Sequence, residues 1–423
     1  MSSETIAIAL SLCILAASFP VQAAEPEPVT WKECLQEATA NHPDLAAARE
    51  QAEQARASRN IVRGALFPHL SAFADQSRFG SSLSPTAETY SYGVTASQLL
   101  FDGFKTPYDV SAATRSIQAA EFRYIVTSAD VRFRLRSAFV DLLRSQELLA
   151  ITGGIADRRR KNRELVGLRY NAGREHKGSL LTADASLAQA DFEVSQARRG
   201  IDLSRQKLSR EMGRIGLAPL AAQGSLDMAL KTEKLVDLES IVQRNPVVLQ
   251  QAALKEEARY GLKAARADRA PKFYANATAA RSSSDWPPRE EEWTVGLNVT
   301  LPLFEGGIRQ AGIARARAGL RQAEAEERSI RDEALVALRE ARTRFENAAE
   351  QAQVQQKFLA AAEARATISR AQYSTGLISF DNWTIIEDDL VRVEKAMLDA
   401  RANALTTEAA WIQAQGGALE DVE

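Results

Sequence analysis

Two periodicities take turns along the chain. From Trp293 to Leu303 every second residue is apolar (Trp293, Val295, Leu297, Val299, Leu301, Leu303), and the residues between them, Thr294, Gly296, Asn298 and Thr300, are small or polar. A period of two predicts a strand with one apolar face. The same alternation runs through Tyr90, Tyr92, Val94, Ala96 and Leu100 against Ser91, Gly93, Thr95 and Ser97, with Gln98 as one polar intruder on the apolar face. Less regular partner strands are predicted at about 67–79 and 272–284. The turn-rich runs Gly80–Pro85 and Ser282–Pro288 connect each pair, so each pair reads as a hairpin.

Elsewhere the period is helical. Val110, Ala113, Ile117, Ala120, Tyr124, Val131, Leu135, Ala138 and Leu142 recur at spacings of three, four or seven, as do Ile313, Ala316, Leu320, Ala323, Ile330, Ala334, Leu338, Ala341 and Phe345. These are coiled-coil seams, broken once at Glu327. A helix from Lys105 to Tyr170 would run roughly 100 Å at ~1.5 Å per residue, and Gly153-Gly154 leaves open whether it kinks or breaks on the way. Each long helix ends at a glycine, Gly173 after Tyr170 and Gly376 after Tyr373, where a left-handed residue stops it. Further helices are expected at 178–212 and 381–415, and shorter ones at 40–65 and 243–268, ahead of Pro68 and Pro271.

The landmarks keep one offset. Pro43 and Pro246, Arg63 and Arg266, Gly93 and Gly296, Phe101 and Phe304, Gly103 and Gly306, Tyr170 and Tyr373, and Gly173 and Gly376 all lie 203 residues apart. An ungapped offset across so many turn-type residues reads as a duplication. The expected layout is a signal peptide over 1–24, a first repeat over 25–220 (helical hairpin about 105–212) and a second over 221–423 (helical hairpin about 308–415). The fold class is mainly α with a small β portion.

Composition narrows the class. The apolar run Ile6–Phe19 and the small residues of Val21-Gln22-Ala23 mark an export signal, too short for a permanent span. Cys13 leaves with it and Cys34 stands alone, so no internal disulfide is expected. With 53 basic and 55 acidic residues the net charge of −2 gives no reason to expect nucleic acid. The three histidines, His42, His69 and His176, are scattered, and no phosphate loop, nucleophile elbow or zinc spacing occurs. Neither an enzyme nor a cofactor or metal site is expected. Four strands of about 10–12 residues suit a tilted membrane crossing, but an open edge is untenable in lipid and four strands cannot close alone. Two or three copies would have to share one barrel.

The segments Cys34-Leu35-Gln36-Glu37-Ala38 and Asn41-His42-Pro43-Asp44-Leu45, the strand ends Leu100-Phe101-Asp102-Gly103 and Leu303-Phe304-Glu305-Gly306-Gly307, and the tip Tyr373–Phe380, in this order and duplicated, resemble the TolC-like outer-membrane efflux proteins over essentially the whole mature chain. The resemblance implies a homotrimer, a twelve-stranded barrel in outer-membrane lipid and an α-helical tunnel through the periplasm. It also implies a passive exit duct of a tripartite efflux or type I secretion system, joined through a periplasmic adaptor to an inner-membrane pump of RND, ABC or MFS type. It further implies a gate at the helix tips, closed by polar contacts and an acidic ring. Tyr170, Gly173, Arg174, Tyr373, Gly376 and Asp381 are the tip candidates. Asp381 would be the pore-facing acid, against the plainer reading of a solvated acid near a helix start. Arg174 and Lys177 could pair with a neighbour's acids. Phe101, Gly103, Phe304 and Gly306 would form the strand-to-helix junctions, and Tyr90, Tyr92 and Trp293 with Phe101 and Phe304 either an interfacial aromatic belt or ordinary strand packing. The other reading is a periplasmic adaptor or structural coiled-coil protein, which would carry one hairpin rather than two.

Overall fold

The computed structural model describes residues 26–81, 84–214, 216, 219–227 and 237–420. The expected signal segment 1–24 lies outside them, as do residues 82 and 83 of the first hairpin loop. Strand β1 (Glu27–Thr30) leads into α1 (Trp31–Asn41) and α2 (Pro43–Gly64), followed by β2 (His69–Ser81) and β3 (Ser84–Phe101). Two long helices come next, α3 (Lys105–Asn171) and α4 (Lys177–Glu211), then β4 (Leu220–Gln223). The second half repeats the order as α5 (Leu238–Arg244), α6 (Pro246–Ala267), β5 (Lys272–Ser283), β6 (Glu290–Thr300), α7 (Ile308–Thr375) and α8 (Phe380–Ala414).

The helices expected over 40–65 and 243–268 are each split in two. His42 (φ −69°, ψ 124°) and Asn245 (φ −64°, ψ 128°) are extended, because the proline ring that follows crowds a helical conformation at the preceding residue. Each then caps the next helix, His42 Nδ1 accepting from the Asp44 N–H at 3.1 Å and Asn245 Oδ1 from the Val247 N–H at 3.0 Å, with Pro43 and Pro246 at the first helical position. Helix α1 begins with a capping box between Thr30 and Glu33.

The 67 residues of α3 form one uninterrupted helix, about 100 Å long at ~1.5 Å per residue. At Gly153-Gly154, where the sequence left a kink or break open, the helix is not broken. The two glycines cost about 1 kcal/mol each in a helix, but their neighbours Thr152, Ile155 and Ala156 are buried, the last two against Ala190, Val194 and Val391, and that packing holds the turn. Helix α3 is the spine: α2, α4, α6 and α8 all lie on it, and α7 packs on α6 and α8. The main core gathers Val131, Leu135, Phe139, Leu142 and Leu143 of α3 with Cys34, Leu45, Leu208, Met212, Leu405 and Leu419, each side chain contributing about 1.5–3 kcal/mol on burial. Glu327, the charge that interrupts the α7 seam, is met by Lys255 Nζ at 2.6 Å from α6.

Strands β2, β3, β5 and β6 form one antiparallel sheet in that order, with β2 and β6 at its edges. The alternation predicted around Tyr90 and Trp293 is real, but the ends differ. Strand β3 starts earlier than expected, at Ser84, and β6 stops at Thr300, because Pro302 has no N–H to give the ladder. Phe304, expected at a strand end, lies in the connection beyond it and is 89% exposed. A second, parallel pair joins β1 to β4; neither strand was anticipated, since four residues are too few to display a period.

Candidate functional site

The far ends of the long helices are the candidate gate. Helix α3 ends with the Gly173 N–H bonded to the Tyr170 carbonyl (2.9 Å) and the Arg174 N–H to the Arg169 carbonyl (2.8 Å). In α7, Gly376 bonds Tyr373 (3.0 Å) and Leu377 bonds Gln372 (2.8 Å) in the same way. Gly173 (φ 70°) and Gly376 (φ 84°) supply the left-handed turn this termination needs.

The two tyrosines that precede these turns have different fates. Tyr373 is fully buried and stacks on Trp383 of α8, centroids 4.2 Å apart and planes 12° from parallel. The Arg169 guanidinium carbon sits 4.6 Å from its ring centroid, and Arg169 Nη1 donates to the Tyr373 carbonyl at 2.7 Å. The Tyr373 hydroxyl donates to Glu175 Oε2 at 3.0 Å. Burial, reinforced by that carboxylate, pushes the phenol up. Burial alone would raise the Glu175 carboxyl, but hydrogen bonds from Ser179 and Tyr373 outweigh it and hold it below the ordinary value. Arg169 and Glu175 belong to the first hairpin and Tyr373 and Trp383 to the second, so these contacts latch one hairpin to the other. Tyr170 is 38% exposed and makes no such contact among the described residues.

Behind the latch, charges ladder the α3–α4 hairpin to the α7–α8 hairpin. Arg158 pairs with Glu394 (2.5 Å), Arg144 with Asp399 (2.5 Å), Lys395 with Glu193 (2.7 Å) and Arg159 with Asp388. Glu387 is buried and accepts from Arg370 Nη2 at 2.7 Å and Asn162 Nδ2 at 3.3 Å.

Of the tip residues named from sequence, the structure therefore gathers only Tyr373 into a constellation. Arg174, Lys177 and Asp381 are exposed, Asp381 in the first turn of α8 beside the cap that Ser379 forms with the Asn382 N–H. Arg169, Glu175, Trp383 and Glu387 went unnoticed as partners. A signal for three of them was present: at the offset of 203, Arg169, Glu175 and Trp383 face Gln372, Ile378 and Leu180, and departures from a repeat mark where its two copies complement each other.

At the other end of the helices, each strand-to-helix junction uses two successive left-handed residues, Gly103 and Phe104 (φ 71° and 69°) and Gly306 and Gly307 (φ 59° and 86°). Phe104 tolerates this uncommon conformation packed edge-on against Phe101, centroids 5.5 Å apart. Gly103 is also sterically required, since a Cβ there would stand 2.1 Å from that of Ala270. Asp102 is buried and accepts from the Thr106 N–H at 2.7 Å and its hydroxyl at 2.5 Å, starting α3.

The sequence profile described as outer membrane efflux protein matches residues 34–214 and 238–417. Outer membrane efflux protein BepC of Brucella suis biovar 1 is 21% identical over 367 residues, covering 85% of this chain and 79% of that protein. Alkaline protease secretion protein AprF of Pseudomonas aeruginosa is 23% identical over 299 residues, 65% of this chain and 61% of that one. The crystal structure of the Campylobacter jejuni CmeC outer membrane channel superimposes with a TM-score of 0.82 at 17% identity, covering 92% of this chain and 86% of that one.

Proposed function

The chain belongs to the outer membrane efflux protein family, and from that premise we propose that three copies close one barrel and one helical tunnel, gated at the hairpin tips. The protein is a passive outer-membrane exit channel rather than an enzyme, and its helical part extends into the periplasm. A periplasmic adaptor or scaffold, the other reading of the long helices, is set aside by a profile that covers both halves.

The observation that carries the shared barrel is the four-stranded sheet with a bare edge on β2 and another on β6. In lipid, unpaired N–H and C=O groups cost several kcal/mol each. The apolar face of β6 is open, with Trp293 77% and Val295 72% exposed, as a lipid-facing strand requires. Three copies join these edges into a ring of twelve strands and set six helical hairpins side by side.

The gate follows from the tips. The Tyr373–Arg169–Glu175–Trp383 latch holds the two hairpins of one subunit together. Tyr170, Arg174 and Asp381 stay exposed, free to meet the neighbouring subunits, and three copies of Asp381 make a carboxylate ring that favours cations. BepC is named for efflux and AprF for protease secretion, and such systems work with adaptors and inner-membrane pumps. This chain serves a pump of RND, ABC or MFS type through an adaptor, and the pump selects the cargo.

The test is location and mass. The chain is expressed with its own N-terminal segment, inner and outer membranes are separated, and the detergent-extracted particle is weighed by light scattering. Three chains in the outer-membrane fraction are expected; a soluble monomer refutes the shared barrel.

A further inference from the structure

The duplication extends to the hydrogen-bond register of the sheet. His69 lies opposite Ser97 in the β2–β3 ladder, and Lys272 opposite Thr300 in the β5–β6 ladder, and every pair of the first hairpin from His69–Ser97 to Phe79–Ala87, moved by 203 residues, is a pair of the second. The match reaches the side chains: the Arg78–Glu88 ion pair recurs as Arg281–Glu291. Between the repeats, β3 meets β5 in one register from Tyr90–Ser283 to Leu99–Tyr274, which includes Tyr92–Arg281, Gly93–Ala280, Val94–Ala279, Thr95–Thr278 and Ser97–Asn276, and shifts only beyond Leu99. Strand β6 is the repeat mate of β3, and β2 that of β5. One ladder of the set is therefore missing inside a single chain, the one that would join β6 to β2.

We propose that β6 of one subunit pairs with β2 of the next in the β3–β5 register carried over by the repeat offset, which places Val295 opposite Arg78, Gly296 opposite Ser77, Leu297 opposite Gln76, Asn298 opposite Asp75 and Thr300 opposite Phe73. The inference rests on the shared barrel and adds to it the register of its seams.

An otherwise unexplained glycine supports this register. Gly93 must be glycine, because a Cβ would come within 2.5 Å of the Ala279 carbonyl oxygen and 2.8 Å of Ala280. Its mate Gly296 is in mid-strand, where glycine weakens pairing and commonly marks a close backbone approach. Nothing lies within 4 Å of the space its Cβ would fill. In the proposed seam that space faces Ser77, the mate of Ala280, and the same close approach is restored. Facing also agrees. Val295, Leu297 and Val299 share a side with Arg78, Gln76 and Ala74, the β2 residues that already stand opposite Glu88, Tyr90 and Tyr92, and Asn298 turns with Asp75 to the other side, where its amide can donate to the carboxylate. A shift of one residue would reverse every side chain of one strand, so the competing registers lie two residues away in either direction.

Cysteine pairs read the register directly. Residues directly opposite have Cβ atoms about 4.5–5.5 Å apart and those two residues along about 7–8 Å, while a disulfide needs about 3.5–4.5 Å. Within one chain β2 and β6 are three strand spacings apart, about 14 Å, so any bridge is between subunits. Cys34 stays out of exchange, since burial pushes its thiol up to about 12. Oxidising the Asp75→Cys, Asn298→Cys protein in membranes is expected to give covalent trimers on denaturing gels. The offset pairs Ser77→Cys, Asn298→Cys and Phe73→Cys, Asn298→Cys should remain largely monomeric. Light scattering on the reduced proteins gives the native mass separately. A trimer that cross-links through an offset pair overturns the register and leaves the shared barrel standing; a reduced particle that is not a trimer overturns the barrel itself. Independently, Gly296→Ala is expected to lower trimer yield while Thr294→Ala does not, and wild-type assembly of Gly296→Ala would refute the close approach.

Discussion

Replacing Tyr373 with Phe removes one oxygen and keeps the ring between Trp383 and Arg169. The lost interaction is the 3.0 Å hydrogen bond to Glu175. Hydrogen bonds to charged groups contribute about 1.5–3 kcal/mol. Glu175 is only partly buried and keeps its bond from Ser179 at 2.9 Å, so the lower end, about 1.5 kcal/mol per subunit, applies. That is about tenfold in the equilibrium between latched and unlatched hairpins if subunits open independently, and about a thousandfold if three open together. The assay is single-channel recording in planar bilayers, where Tyr373→Phe should raise the open fraction at neutral pH. The pH course supplies a second check. The folded-state pKa of Glu175 is depressed, so its contribution is present above the ordinary carboxylate value and is lost as pH falls through the lowered one. The gap between wild type and Tyr373→Phe should therefore narrow on acidification below about pH 4. Equal open fractions at pH 7, or a gap that widens in acid, would refute the latch.

Three further perturbations test other parts of the structure. Asp381→Ala should reduce cation selectivity in the same bilayers, and unchanged selectivity removes it from the ring. Arg370→Ala leaves the buried Glu387 with its bond from Asn162 and, because Arg370 is itself partly exposed, should cost about 2 kcal/mol, the scale of one hydrogen bond to a charged group, in thermal unfolding of the detergent-solubilised protein; adding Glu387→Gln should recover most of that loss, and no recovery would mean the arginine acts through packing. Proline at Leu338, a fully buried position in mid-α7, should abolish trimers on native gels, because it breaks the helix by about 3 kcal/mol or more.

The sequence displayed what is periodic or repeated and concealed what is short or complementary. Alternation around Trp293 and the seams through Leu135 and Leu338 repeat often enough to be read, and the constant offset ties the halves together. Strands β1 and β4 have no room for a period. At Gly153-Gly154 local propensity pointed to a break, but tertiary burial of Ile155 and Ala156 prevailed. Phe304 looked like Phe101 because the repeat says so, yet Pro302 ends β6 before reaching it. At the tips the repeat misled in another way: equivalence made Tyr170 and Tyr373 look alike, whereas the latch depends on Arg169, Glu175 and Trp383 being unlike their mates.

The parallel pairing of β1 with β4 governs the order in which the chain can finish folding as it is delivered. Glu27 aligns with Leu220, roughly 190 residues later, so the first strand among the described residues waits for one that follows both arms of the first helical hairpin. Closing so large a loop is slow. A chain arrested short of Leu220 would hold an otherwise complete first hairpin with its N-terminal strand untied and the Cys34–Leu35 face of α1 without the Leu220 and Ala222 side chains that share its core. The four-residue tie is therefore a late step of the first half, made only once both arms of its helical hairpin and the strand beyond them exist.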